Sequence, residues 1–264
     1  MAYIPDYEGK NLTCMVLRIE RSSIHDGEGF RTVVFLKGCP LRCQWCSTPE
    51  SQSPQIEAAQ TGDTTYGVSM TVEQILKEVR KDIPFYFHSS GGMTLSGGEI
   101  FSQPEAAKAL LREARAEGIR TAIETSFFTT AHAVERVLPY VETAFVDLKL
   151  FDAERHKAYC GVDNGAILYN LLYTNQMDWN GRLIVRTPLI PGINDMPEEL
   201  EAIGRFCAQL KKLQYVQLLP YHRLGTETYR KLGRTYQLPE VPTPSAEHME
   251  ECRAIVRKWI VDVR

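Results

Sequence analysis

Strand-like and helix-like patterns alternate along almost all of this 264-residue chain. Two apolar runs rich in β-branched residues, "TCMVLRIERSSI" and "TVVFLKG", read as strands. "TVEQILKEVRKD" has apolar residues at helical spacing, with Thr71 as its N-cap and Glu73 close behind. "GMTLSGGE" is a short strand running into glycines. "QPEAAKALLREARAEG" is a helix entered near Pro104 and left at Gly118. The strand "IRTAIET", the helix "TTAHAVERVLPYV" and the strand "TAFVDLKL" follow. A longer helical region runs from "DAERHKAY" through "GAILYNLLYTNQM". "RLIVRTPLIPG" and "VQLLPYH" are the last strands, with "MPEELEAIGRFCAQLKK" between them and "SAEHMEECRAIVRKWI" after.

Continuous apolar strands between amphipathic helices predict an α/β fold, a parallel sheet covered by helices, either open or partly closed into a barrel. No linker divides residues 1–264, so a single domain is expected. The most polar stretch, "STPESQSPQIEAAQTGDTTYGV", reads as a surface loop. Polar residues collect where strands end: the cysteines after "TVVFLKG", Ser96 to Glu99 after "MTL", Glu124 with Thr125, Asp147 with Lys149, then Arg186 and His222. Parallel strands point their carboxyl ends one way, so these groups converge on one rim.

Composition narrows the class. Hydrophobic residues make up 44% and charged residues 24%, with a net charge of -3, unlike a strongly basic nucleic-acid binder. No apolar run approaches the ~20 residues of a membrane span. "MAYIPDYEGKN" lacks a signal-peptide pattern, and a cytoplasmic protein is expected. Seven cysteines, an odd number unevenly spread, argue against a disulfide framework. Cys14, Cys160, Cys207 and Cys252 are scattered and read as small core residues.

Cys39, Cys43 and Cys46 are different: "GCPLRCQWCSTPE" packs three thiols into one loop, residues 38–50, with C-x3-C-x2-C spacing. Thiolates hold zinc or iron–sulfur clusters. Three of them would cap three irons of a [4Fe–4S] cube and leave the fourth open to a small molecule. A zinc-binding interaction domain, completed by a histidine such as His25, is the non-enzymatic alternative. The remaining histidines show no metal spacing.

The loop after its strand resembles that of the radical S-adenosylmethionine (SAM) superfamily. "HDGEGFRTVVFLKGCPLRCQWCSTPES", followed in order by "TLSGGE", "VDLK" and "LLPYH", is similar to the glycyl-radical-enzyme activating enzymes, most of all the short, pyruvate formate-lyase activating type. The absence of cysteines from the polar stretch directly after Cys46 means no ferredoxin-like insert and a single cluster. "CSTPES" departs from the formate-lyase type toward the "NPES" of activating enzymes for other glycyl radical enzymes.

The resemblance implies a partial (β/α)6 TIM-like barrel with a radical SAM core, one [4Fe–4S] cluster on Cys39, Cys43 and Cys46, and bound S-adenosyl-L-methionine. Its contacts would come from Trp45, Cys46, Ser47, Gly97, Gly98, Glu99, Asp147, Leu148, Lys149 and His222, with no catalytic side chain beyond cluster and cofactor. Arg186 is a further candidate for the cofactor carboxylate, and Glu124, Thr125 and Asp147 could surround a monovalent cation. Asp26 and Arg31 are candidates for gripping the partner peptide. The implied reaction is reductive cleavage of the cofactor, with electrons from flavodoxin or ferredoxin. The 5′-deoxyadenosyl radical formed takes hydrogen from a glycine of a partner enzyme. A radical SAM enzyme acting on a small molecule shares the loop and remains the enzymatic alternative.

Overall fold

The computed structural model describes residues 7–264; Met1 to Asp6, the start of the stretch read above for a signal, lie outside it. Ten strands form: β1 (Thr13–Ser23), β2 (Arg31–Leu36), β3 (Glu57–Ala58), β4 (Thr65–Tyr66), β5 (Val68–Thr71), β6 (Gly92–Gly97), β7 (Arg120–Thr125), β8 (Thr143–Asp147), β9 (Arg182–Leu189) and β10 (Leu213–Pro220). The helices are α1 (Tyr7–Lys10), α2 (Val72–Arg80), α3 (Ile83–Ser89), α4 (Pro104–Ala116), α5 (Ala131–Val137), α6 (Ala153–Cys160), α7 (Gly165–Tyr173), α8 (Pro197–Cys207), α9 (Thr226–Lys231) and α10 (Ala246–Val256).

Eight strands make one sheet in the order β10-β9-β8-β7-β6-β2-β1-β5. The run from β2 through β6 to β10 is parallel throughout, which delivers the six convergent strand ends read from the sequence. β1 is not one of them: it pairs antiparallel with β2 on one side and with β5 on the other. Helices cross between the parallel strands, and the largest apolar cluster lies between them and the sheet. β8 is buried along nearly its whole length, as a strand covered on both faces must be. Among the described residues no helix is long and apolar enough to cross a membrane.

Several elements differ from the sequence reading. The long helical region after "TAFVDLKL" is two helices, because Gly161 ends α6 in the left-handed conformation (φ 84°). The stretch after Cys46 is not simply surface. It holds a 3₁₀ turn at Pro49–Ser51 whose residues are buried, then the β3–β4 hairpin and β5. α3 and α9 are too short and irregular in pattern to announce themselves. The N-terminus of α2 is as expected at Thr71, but the reciprocal capping bonds run to Gln74 rather than to Glu73.

Replacing Thr71 with alanine removes that cap and is expected to cost about 1 kcal/mol. In a thermal melt of the metal-free protein this reads as a Tm lower by about 2–4 °C.

Candidate functional site

β2 ends at Leu36, and the chain turns at once into the cysteine loop. The loop is tied at its base, where Gly38 N–H donates to Ser51 O (2.7 Å) and Cys39 N–H to Gln52 O (3.0 Å). Its crown docks on the C-terminus of α6: Arg42 N–H reaches Cys160 O (2.7 Å) and Gln44 N–H reaches Tyr159 O (3.0 Å). Helix C-termini leave carbonyls without intrahelical donors, and the loop supplies donors. Lys37, fully buried, holds the returning strand through Glu50 O, and its ammonium lies 3.4 Å from the Glu57 carboxylate. Arg234 adds bonds to Pro49 O (2.7 Å) and Glu57 (2.5 Å).

The three thiols share an apolar cluster with Leu41, Trp45, Leu150 and Ile190. Burial pushes Cys39 up to about 12 and Cys46 up to about 11, and the neighbouring thiols push in the same direction. Cys43 is also raised well above its usual value, first by a hydrogen bond with Cys160 and then by burial. Thiolates that repel one another in this way need concentrated positive charge nearby, which a metal centre provides. Cys160 was expected to be ordinary core. It is fully buried, but against the sulfur of Cys43, and no spacing rule connects residues from separate elements in this way.

Beside the thiols lies a charged layer built from inward positions of adjacent strands. Ser96 Oγ donates to Glu124 (2.5 Å), and Arg186 bridges Glu124 (2.7 Å) and Asp147 (3.3 Å). Lys149 donates to the other oxygen of Asp147 (2.7 Å). Asp147 and Arg186 are paired in register across β8 and β9, which is why they meet. Burial alone would raise the Asp147 carboxyl, but Lys149 and Arg186 together hold it below its usual range. Lys149 acts electrostatically on Cys43 and Cys46 as well, so layer and thiols are neighbours. Asp26 faces this layer from the β1–β2 loop. Burial and the charge of Glu124 raise its carboxyl.

The other candidates divide. Gly97 and Gly98 form the tight passage between β6 and the loop. Gly97 has φ 109°, and a Cβ on either residue would overlap backbone of Leu36 or Gly38. Gly98 N–H and Glu99 N–H are bonded to Leu36 O and Gly38 O (2.9 and 2.8 Å). The Glu99 side chain is buried against the end of β7, and its charge is felt at Cys39. It accepts from Thr125 Oγ1 (2.6 Å), Ser126 N–H (2.8 Å), Ser126 Oγ (2.5 Å) and Phe101 N–H (3.2 Å).

Thr125 is therefore spent on Glu99, and the Arg186 guanidinium stands between the carboxylates considered for a monovalent cation. Phe127, buried with φ 58°, bends the chain so that Thr125 and Ser126 reach Glu99. That conformation costs a non-glycine residue about 1–2 kcal/mol. Leu148 points into the helix-side core and offers the site only its backbone. Trp45 is buried near Tyr159, with ring centroids 6.5 Å apart, whereas Ser47 and His222 are exposed. Arg31 is not free to meet a peptide. It is 3% exposed and its donors are used on Thr94 Oγ1 (3.0 Å) and Met93 O (2.6 Å), inside the barrel's opposite end.

Below the charged layer, Ala122, Phe145, Ile184 and Tyr215 form a small apolar patch on the inner face of the sheet. Between this patch and the β1–β2 loop is a cavity of about 350 Å³, bordered by His25, Glu28, Gln217 and Arg264.

The family description "Radical SAM superfamily" matches residues 33–207, from within β2 to the end of α8. The chain belongs to the radical SAM superfamily. Within it the chain sits among the activating enzymes of glycyl radical enzymes. It is 41% identical to the isethionate sulfite-lyase activating enzyme of Oleidesulfovibrio alaskensis, over 89% of this chain and 92% of that one. The (2S)-3-sulfopropanediol sulfolyase activating enzyme of Bilophila wadsworthia is 35% identical over 89% and 93%. Among solved structures, a domain of pyruvate-formate lyase-activating enzyme from Bacteroides vulgatus is 27% identical, with TM-score 0.55 over 66% of this chain and 98% of that one. The first of these alignments runs over 286 residues, more than the 264 of this chain, so that relative carries residues with no counterpart here.

Radical SAM proteins use a [4Fe–4S] cluster and S-adenosylmethionine, and the residues present fit both. The donor set is three thiols on one short loop that is tied at both ends, close enough to act on one another electrostatically though not drawn together into a metal-holding group among the described residues. The adjacent layer offers both signs of charge, as a ligand carrying an ammonium and a carboxylate requires. Cys160 touches Cys43 from the core side. Replacing Cys39, Cys43 or Cys46 singly with alanine is therefore expected to lower bound iron sharply after anaerobic reconstitution, while Cys160→Ala keeps it. Iron and sulfide assays with the absorbance spectrum decide this.

The Arg186 bridge makes a second prediction. Arg186→Met removes the cation between Glu124 (13% exposed) and Asp147 (24% exposed), leaving Asp147 only Lys149, and breaking a buried pair of this kind costs up to about 3–5 kcal/mol. Asp147 has its folded pKa below the unfolded value of about 3.9, so its contribution is present above that value and lost as pH falls through the folded one. Denaturant melts should show the variant's deficit fully at pH 7 and shrinking below about pH 4.

Proposed function

We propose that this protein activates a glycyl radical enzyme of the isethionate sulfite-lyase kind. The carrying observation is the pairing of the three-thiol loop with the charged layer at the shared end of the parallel strands. The choice of partner rests on the 41% identity with an activating enzyme of that name over most of both chains. Cys39, Cys43 and Cys46 would hold the cluster, which would supply the single electron for reductive cleavage of S-adenosylmethionine and so the hydrogen-abstracting chemistry directed at the partner's glycine.

The chain's own residues bind and orient. Arg186 and Lys149 are the cations for a ligand carboxylate, and Glu124 and Asp147 the anions for its ammonium. Gly97 and Gly98 let backbone come close without side chains in the way. The aromatic wall of Trp45 and Tyr159 limits water at the thiols. The apolar patch of Phe145, Ile184 and Tyr215 lies two residues along the strands from Asp147 and Arg186. It offers a dry surface for the partner's polypeptide next to its glycine. The sheet order leaves β10 unpaired with β5, so a segment of another protein has a lateral way in.

A low-potential donor, flavodoxin or ferredoxin, completes the proposal. All seven cysteines are free, which suits a reducing cytoplasm, and a net charge of -3 gives no electrostatic reason for binding nucleic acid or anionic membrane.

The test is anaerobic reconstitution, reduction in the presence of S-adenosylmethionine, and incubation with isethionate sulfite-lyase or, separately, pyruvate formate-lyase. Electron paramagnetic resonance should show a stable glycyl radical with the first. A signal with formate-lyase alone would move the partner assignment to that enzyme. Cofactor cleavage with no signal from either, but with turnover of a small molecule, would overturn the reading. So would a colourless protein that takes up zinc and no iron.

A further inference from the structure

One polar group near the thiols has no assigned task. α9 and the turn after it press onto the returning limb of the cysteine loop. A Cβ on Gly225, the N-cap of α9, would stand 2.7 Å from Cys46 O and 3.0 Å from Ser47 O. Gln60 N–H is bonded to Lys231 O (2.7 Å), and Arg234 clamps Pro49 as described. Tyr229 stands one turn beyond Gly225, with its N–H on Gly225 O (3.0 Å), and so shares the face that meets Cys46.

Its ring is held edge-on by Tyr236, with centroids 5.2 Å apart at 75°. The Tyr236 hydroxyl is in turn paired with that of Tyr221 (2.6 Å), which also donates to Leu238 O (3.1 Å). Tyr229 is 7% exposed and belongs to the same apolar cluster as Cys43, with Cys39 and Cys46 packed at its edge. The charges that act on its phenol include Cys46 and Cys43. Unlike Tyr221 and Tyr236, its hydroxyl has no hydrogen-bond partner among the described residues. It is not one of the buried polar atoms left without a partner, so it keeps contact with solvent and is available as a donor to a group bound beside Cys43 and Cys46.

We propose that Tyr229 donates a hydrogen bond to a sulfur on the Cys43–Cys46 side of the iron–sulfur cluster and thereby raises the cluster's reduction potential. The inference rests on the cluster reading above. Hydrogen bonds to cluster sulfurs favour the more negative, reduced state and are one of the protein's main controls on potential. A phenol is protonated at neutral pH, so the donor is present. Tyr229 acts on the cluster, not on substrate, and is a positioning and tuning residue.

The experiment compares reconstituted wild type with Tyr229→Phe and, as a control, Tyr236→Phe. The midpoint potential is read by redox titration followed through the electron paramagnetic resonance of the reduced cluster. Exchangeable protons coupled to the cluster are read by electron–nuclear double resonance in water and heavy water. Tyr229→Phe should hold wild-type iron and sulfide, shift to a more negative potential and lose one exchangeable proton coupling. Tyr236→Phe should change neither. An intact Tyr229→Phe cluster with wild-type potential and proton couplings overturns the proposal. If Tyr229→Phe fails to hold iron, the wild-type spectra decide: no exchangeable proton coupled to the cluster sinks it. Failure of the cluster reading itself would show separately, as wild type that binds no iron.

Discussion

The arrangement depends on placing three thiols of one short loop in a buried place where, without metal, none of them ionises readily. The chain makes this possible by fixing the backbone first. Gly38 and Cys39 are tied to Ser51 and Gln52, and Arg42 and Gln44 to the last carbonyls of α6. Ordering a loop costs about 1–2 kcal/mol per residue, and here backbone hydrogen bonds offset part of that cost before any metal arrives. What remains for the metal is to displace three protons from thiols whose pKa values are raised, the kind of linkage that makes metal affinity pH-dependent. Lys37, buried directly before the loop, shows how strict the placement is. Its ammonium is desolvated, which lowers its pKa, in return for holding Glu50 O and pairing with Glu57.

The barrel interior is layered by the two-residue period of its strands. Along β8, Thr143, Phe145 and Asp147 share a face, and along β9 so do Arg182, Ile184 and Arg186. Pairing in register aligns them into an upper charged level, a middle apolar level and a lower charged level where Glu28 meets Arg182 (2.7 Å) and Arg120 (3.5 Å). The apolar level separates two ion-pair networks. Each keeps its own partners, and the upper one stays half-buried and open to a ligand with charges of both signs.

Much of this was legible because strand ends are marked in the sequence. The thiol loop after "TVVFLKG", the shared face of Asp147 and Lys149, and the convergence of Glu124 and Arg186 all follow from period and direction alone. What was not legible depends on contacts between distant segments. Nothing near Cys160 in the chain says that it meets Cys43. Glu99 sits in the expected motif, yet its side chain is bonded to Thr125 and Ser126 at the end of the next strand. Arg31 follows the glycine-rich loop that suggested a peptide grip, but its position at the start of β2 places it at the far end of the strands, among backbone carbonyls. β1 reads as one more apolar strand, and only its pairing shows that it runs against the others.

That antiparallel β1 also bears on how a protein, rather than a metabolite, could be the substrate. Six parallel strands curve without enough members to close, and an eight-stranded barrel is the size at which side chains just fill the interior. Here β1 and β5 extend the sheet beyond β2, while at the other edge β10 takes only the C-terminal segment, through the Val216–Val263 bridge. The two edges stay apart, and the β1–β2 loop with Asp26 crosses between them over the inner face. The side of the barrel is thus bounded by a loop and a short tail instead of by strands. A backbone glycine has no side chain to project into a deep pocket, so its own main chain must come to the cofactor. A lateral opening bordered by a loop and a short tail, leading past an apolar floor to the charged layer, is the geometry that such a substrate requires.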